Sequence, residues 1–186
     1  MDQLLKTMSK EQFFNKYYNF ALSATQGTGL SPILILSQAY LESGAGKSSL
    51  AAKYNNFFGV KASKGWAGKT INLRTREQTK DGKDYFINAA FRVYSSPYES
   101  FVEQIKFLKN NPRYTKAGLF TYPNNFAKQA DTLQKAGYAT DVKYAKILTD
   151  ISNNFVSVLN KVKPAVKPLA AILPLALLFL ITKKFF

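Results

Sequence analysis

The sequence predicts an α+β domain, mainly α, with one β-hairpin set among its helices and an apolar helix at the C-terminus. Three observations predict it. Serine caps followed by apolar repeats at helical spacing recur along the chain. Residues 69–95 break that rhythm with strand-like runs on either side of Lys80-Asp81-Gly82-Lys83. The thirteen residues from Leu169 to Ile181 are all apolar or proline, with lysines on both flanks. The chain divides accordingly into a domain over 1–160, a basic Lys-Pro linker over 161–168 and an apolar segment over 169–186.

Each element has a local reason. Ser9-Lys10-Glu11-Gln12 has capping-box spacing and precedes Phe13, Phe14, Tyr17, Tyr18 and Leu22, which predicts a helix over 9–24. Gly27 and Gly29 interrupt it. Ser31-Pro32 supplies an N-cap and a proline at the first helical position of a second helix, which runs to about Ser43. A short helix follows over 48–53, and 55–60 reads as a compact, partly buried loop. Thr70 to Gln78 forms one strand, and Tyr85-Phe86-Ile87 with Ala90 to Tyr94 forms the return. Ser96, Pro97 and Glu99 then restart a helix, which runs to about Asn110 and stops before Pro112. Another spans 123–136 and ends at Gly137. The last runs over 141–162, with Val142, Ala145, Ile147, Leu148, Ile151, Phe155 and Leu159 as its buried face.

Composition narrows the chemistry. The 186 residues include no cysteine and no histidine, which excludes disulfides, thiolate chemistry, the Ser-His-Asp triad and His-ligated zinc. No metal-ligand spacing or cofactor motif is present. Gly44-Ala45-Gly46-Lys47-Ser48 has a superficial likeness to a phosphate-binding loop, but lacks its spacing and follows a helix instead of a strand. The net charge is +15, of which five lysines in 161–186 supply +5. A basic domain suits polyanionic surroundings such as a cell-wall polymer or anionic lipid. A nucleic-acid partner would rest on charge and aromatics alone, and none is expected.

Glu42 is the candidate acid. It closes an apolar helix, where the backbone dipole disfavours negative charge, and Ala39 and Ile35 lie behind it. Partial desolvation adds to the effect, so its carboxyl should hold its proton unusually well. That property is what a general acid for glycosidic cleavage needs. By position alone, a solvated helix-end glutamate is the plain alternative.

The run Gln38-Ala39-Tyr40-Leu41-Glu42-Ser43-Gly44-Ala45-Gly46-Lys47-Ser48 resembles the signature of peptidoglycan N-acetylglucosaminidases of glycoside hydrolase family 73. Further motifs follow in the family's order: 56–62, 66–68, 91–96, 111–114 and 136–141. The resemblance covers about 13–157. It implies a lysozyme-like fold in which the acid faces a β-hairpin across a cleft. It also implies hydrolysis of the β-1,4 bond between N-acetylglucosamine and N-acetylmuramic acid, with Glu42 protonating the leaving oxygen.

The family often places a second acidic residue on the hairpin, and Glu77 is the match, although the turn after it is about one residue longer here. Asp81 and Asp84 are its neighbours at the turn. Glu77 would activate water, or stabilise positive charge on the sugar or on an oxazolinium formed by the substrate's acetamido group. Among aromatics, Trp66 stands between sugar platform and core, and Tyr114 between subsite and packing. The resemblance puts Tyr138 beside the cleft, and Phe58 is expected under its floor. Muramidase or lytic transglycosylase action on the same polymer is the rival chemistry. A structural, membrane-attached assembly protein with a vestigial glycan site is the rival class.

Thirteen apolar residues in a helix reach about 20 Å, against a hydrocarbon core of roughly 30 Å. Extension through Val166 and Phe185-Phe186 with snorkelling lysines narrows the gap, so 169–182 are expected to insert in or span a lipid membrane. A buried or oligomerising helix is the alternative. Met1 to Lys6 shows no secretory apolar region. The expectation is therefore a virion protein of a membrane-containing phage, with a holin-released lysis protein or a secretion or flagellum-like assembly component as the alternative.

Overall fold

The computed structural model describes residues 8–79 and 81–162. Their helices are α1 (Lys10–Thr25), α2 (Pro32–Glu42), α3 (Ser49–Tyr54), α4 (Pro97–Asn110), α5 (Pro112–Lys116), α6 (Phe126–Lys135) and α7 (Tyr144–Val162). Strands β1 (Thr70–Gln78) and β2 (Asp84–Arg92) form one antiparallel pair between α3 and α4.

The architecture follows from α2. Seven consecutive residues, 33–39, are buried, and a helix apolar on every side must be enclosed by others. α1, α6 and α7 supply that enclosure. Phe13 of α1 sits at the centre of an aromatic cluster, with ring centroids 4.7 Å from Tyr17, 5.2 Å from Tyr40 and 6.4 Å from Phe155. Most polar groups inside are paired, as burial requires, although Gln38 Oε1 and Tyr94 Oη have no hydrogen-bond partner. Ser37 Oγ donates to the Ile33 carbonyl at 2.8 Å and meets Ser152 Oγ at 2.9 Å. Gln129 is wholly buried, accepts from Ser31 N at 2.9 Å and donates to the carbonyls of Gly29 and Tyr122.

The hairpin joins this body through its base. Asn56 donates to the carbonyls of Val60 (3.0 Å) and Arg92 (2.9 Å) and accepts from Val60 N, clamping the 56–60 loop to the end of β2. Lys61 forms an isolated bridge with Phe91, so a short third segment lies beside β2 at the base. The register runs from Thr70 opposite Arg92 to Gln78 opposite Asp84. Ala89 and Phe91 near the base are buried, whereas Tyr85, Phe86 and Ile87 towards the tip are 45%, 56% and 39% exposed.

Capping explains the boundaries. Ser9 and Gln12 form the expected reciprocal box at 3.1 and 2.9 Å, and Ser31, Ser48 and Ser96 each cap their helices. Three expectations need correction. The helix expected over 123–136 begins only at Phe126, because Asn125 spends its side chain capping Lys128 N. Pro112 does more than end α4: it opens a further turn of helix, α5. Val142 is 81% exposed, not buried, since 141–143 precede α7, with Asp141 accepting from Lys143 N. α7 ends at Val162, where the last helix was expected to end, and so includes Lys161 and Val162 of the basic linker. The rest of that linker and the C-terminal apolar segment lie outside the described residues. Among the described residues, no helix is long and apolar enough to cross a membrane.

Candidate active site

Glu42 is the last residue of α2, and the turn after it is tightly built. Ser43 Oγ donates back to the Ala39 carbonyl and accepts from Gly46 N at 2.8 Å. Gly44, Ala45 and Gly46 all take left-handed backbone, with φ of 57°, 61° and 79°. Glycine accepts that conformation readily, while Ala45 adopts it at a cost. A Cβ on Gly46 would meet the Phe13 ring at 3.4 Å. The turn thereby stops the helix at Glu42 and aims its side chain into a cleft.

That cleft is an open cavity of about 660 Å³. Its walls include Glu42, Phe58, Val60, Arg92, Gln104, Phe107, Tyr114 and Tyr138. Tyr144 Oη donates to Glu42 Oε1 at 3.2 Å, and Gln38 Nε2 donates to Tyr144 Oη at 3.0 Å. The Tyr138 ring stacks on Tyr144 with centroids 5.5 Å apart, and its hydroxyl accepts from Gln104 Nε2 at 3.0 Å. Arg113 lies over the Tyr114 ring and donates to the Gly137 carbonyl at 3.2 Å, fixing the approach to Tyr138.

The electrostatics follow from enclosure. Glu42 is open to solvent along the cleft, but protein crowds its carboxyl from the other sides, and that crowding governs proton affinity. Desolvation raises its pKa above the ordinary carboxylate value, and the Tyr144 hydrogen bond takes back part of the rise. Burial pushes the Tyr138 and Tyr144 phenols far upward, and the nearby Glu42 charge adds to both shifts. Both tyrosines therefore remain hydrogen-bond donors across the ordinary pH range.

The sequence-predicted residues separate into two groups. Glu42, Phe58, Tyr114 and Tyr138 share the cleft, with Phe58 packed edge-on against Phe101 at 5.4 Å as floor. Tyr114 is wholly buried and packs behind Tyr138 and Phe107. Trp66 lies at the foot of the hairpin, behind Arg92 and not among the residues that line the cleft. The Arg92 guanidinium stands 4.4 Å from its ring centre, and its Nε1 donates to the Lys69 carbonyl at 3.1 Å. The Glu77 backbone pairs with Tyr85, next to the outermost rung of the hairpin. Asp84 faces Arg76 at 3.3 Å and Asp81 faces Lys83 at 3.5 Å, so both acids at the turn have cationic partners. Among the described residues, no cluster of acidic side chains could hold a metal ion.

Sequence reading missed Tyr144, Gln38, Gln104, Arg92 and Arg113 as parts of the site. Gln38 offered a signal, since it is a lone amide one turn before Glu42 in an otherwise apolar helix. Tyr144 offered none, because its partner lies 102 positions away. Arg92 is held by Glu103 at 2.9 Å, and burial raises the adjacent Tyr94 phenol to about 12 despite the Arg92 charge.

A proton-holding carboxyl at a helix end, backed by phenols and facing an open cleft beside a hairpin, defines a lysozyme-like glycoside hydrolase. A family model described as mannosyl-glycoprotein endo-beta-N-acetylglucosaminidase matches residues 18–156, and the chain belongs to this glucosaminidase family, glycoside hydrolase family 73. The peptidoglycan hydrolase FlgJ of Escherichia coli K12 is 38% identical over 143 residues, which is 75% of this chain and 44% of that protein. The exo-glucosaminidase LytG of Bacillus subtilis is 34% identical over 139 residues, 73% of this chain and 48% of its own. The chain thus spans about half the length of these relatives. The glycoside hydrolase domain of Salmonella typhimurium FlgJ superposes with a TM-score of 0.69 at 33% identity, covering 85% of this chain and 95% of that one. A probable N-acetylmuramidase of Lactococcus lactis is 34% identical over 156 residues, 80% of this chain and 34% of its own.

Proposed function

We propose that the chain hydrolyses peptidoglycan at the β-1,4 bond between N-acetylglucosamine and N-acetylmuramic acid, with Glu42 as general acid. The observation that carries this reading is the Glu42 carboxyl, poised in the cleft with a raised pKa and hydrogen-bonded to Tyr144. Two relatives with matching domains are named for peptidoglycan hydrolysis and glucosaminidase action. Protonated Glu42 gives its proton to the glycosidic oxygen as the bond to the N-acetylglucosamine anomeric carbon breaks, and water completes the exchange. Glu77, carried on the hairpin, supplies the second carboxylate: it activates that water or stabilises the positive sugar or oxazolinium. Hairpin closure over the glycan sets the distance between the two groups.

Mass spectrometry of fragments released from purified peptidoglycan tests the reading. N-acetylglucosamine at the new reducing end, lost in Glu42→Gln and reduced about a hundredfold in Glu77→Gln, is the expected pattern. Reducing-end muramic acid would instead support the muramidase reading, which the Lactococcus relative's name favours. Anhydro-muramic acid would point to a transglycosylase.

The apolar run at 169–182 supports attachment to a lipid membrane, and the basic residues around it suit an anionic lipid face. Virion residence in a membrane-containing phage is the matching location. Flotation with anionic vesicles, lost on removing 164–186, tests the first point. Detection in purified particles tests the second, and absence from them would favour a lysis or assembly protein.

A further inference from the structure

The space in front of Glu42 does not end at Arg92. A second cavity of about 460 Å³ opens beyond it and shares Val60, Arg92 and Phe107 as walls. Phe107 is 40% exposed although its ring packs 5.9 Å from Tyr114, so an aromatic ridge stands in water between the two spaces. In this second cavity Glu103 holds two cations, Arg92 at 2.9 Å and Lys106 at 2.8 Å, leaving one positive charge in excess. Asn111 occupies the N-cap position of α5, yet its side chain makes no capping hydrogen bond, and the residue lines the same cavity. Acid catalysis at Glu42 uses none of the groups beyond the ridge.

We propose that this second cavity receives the peptide arm of the muramic acid sugar, whose 4-oxygen is the leaving group at Glu42. The inference rests on the glucosaminidase reading above. In peptidoglycan the peptide is joined through a lactyl ether to the carbon adjacent to the one bearing that leaving oxygen. The arm therefore departs from the sugar beside the atom that Glu42 protonates, and it must follow the cleft wall. The second cavity matches the arm's chemistry. Phe107 and Val60 offer apolar surface to the lactyl and alanine methyls. The Asn111 amide offers a donor and an acceptor to peptide groups. The arm's carboxylates meet Lys106, whose side chain is 61% exposed and whose ammonium has donors beyond the one facing Glu103, while Arg92 stays with Glu103. Binding there orients the sugar from a distance, which places the scissile oxygen against the acid.

The test uses the full chain and two substrates: glycan strands bearing peptide arms, and the same strands stripped to lactyl carboxylates by an amidase. The wild-type protein is expected to show kcat/KM about tenfold higher on the arm-bearing strands, equivalent to roughly 1.4 kcal/mol. Asn111→Ala and Lys106→Gln should each shrink that ratio about threefold through KM, and the double variant should bring it near one. Calorimetric titration with a free muramyl peptide should show binding to the wild type and at least tenfold weaker binding to the double variant. A wild-type ratio near one overturns the proposal, as does an unchanged ratio in a double variant that folds with the wild-type circular dichroism spectrum. Failure of the wild type to cleave either substrate would bring down the hydrolase reading itself, a separate result from cleaving both equally.

Discussion

The two sides of the cleft are held by different means. The Glu42 side is fixed by side chains drawn from four places in the chain: Gln38 and Glu42 on α2, Gln104 on α4, Tyr138 before α7 and Tyr144 at its start. The hairpin side is fixed at its base by the Asn56 clamp, and from there outward it is a two-stranded ribbon with exposed aromatics. In the role proposed above, Glu42 needs a set distance and a set pKa, and an over-determined environment supplies both. An arm that meets a polymer needs freedom to close, and an isolated ribbon of two strands is marginally stable by itself. The contrast locates rigidity in the acid and adaptability in the partner wall.

The largest effect separating the two sides should come from Glu42→Gln, which keeps the shape and removes the proton. Release of soluble fragments should fall about a thousandfold, within the usual range for a lost general acid. If the variant retained a tenth of the activity, the acid would have to be elsewhere. Next comes stability. Phe155 is wholly buried among Phe13, Phe14 and Tyr40, so Phe155→Ala should cost about 3–5 kcal/mol in a denaturant melt. Phe86→Ala at the hairpin should cost less than about 0.5 kcal/mol, as surface changes do. Equal costs would mean that the ribbon is integral to the folded body.

Tyr144→Phe should lower activity about tenfold and move the alkaline limb of the pH–rate profile upward. The sign is set by the hydrogen bond: Tyr144 stabilises ionised Glu42, so its loss raises the carboxyl pKa further. A downward shift would show that the bond serves the protonated acid. The smallest effect concerns the free energy held in Glu42 itself. Its pKa is raised on folding, so the folded protein binds the proton more tightly than the unfolded chain, and stability declines as pH rises through that window. Glu42→Gln should therefore raise the melting temperature slightly at pH 7, and the gain should vanish below the unfolded carboxyl value.

Much of this was readable in the sequence where the cause is local. Serine caps, Pro32 and Pro97, the Asp81-Gly82 turn and the glycine-rich stop after Glu42 set the helix and strand order, which the structure keeps except for the added α5. Glu42 stood out as a candidate because the run 38–48 resembles the family signature, and its place at a helix end in the cleft was readable from Ser43, Gly44 and Gly46. Errors arose where one residue's side chain competes with the periodic pattern. Asn125 capped a helix three residues later than expected, and Asp141 held Val142 outside α7. The supports of the acid were illegible for another reason: Tyr144 and Gln104 join it only through folding, and no spacing marks such partners.

Trp66 has a consequence for how the molecule can be observed. It is the only tryptophan, and its ring carries the guanidinium of Arg92, a residue that lines both cavities. Indole emission responds to the charges and polarity around it. The protein thus contains an intrinsic optical probe one residue removed from the cleft, so a ligand that shifts Arg92 should be measurable by fluorescence in unlabelled, unmodified material.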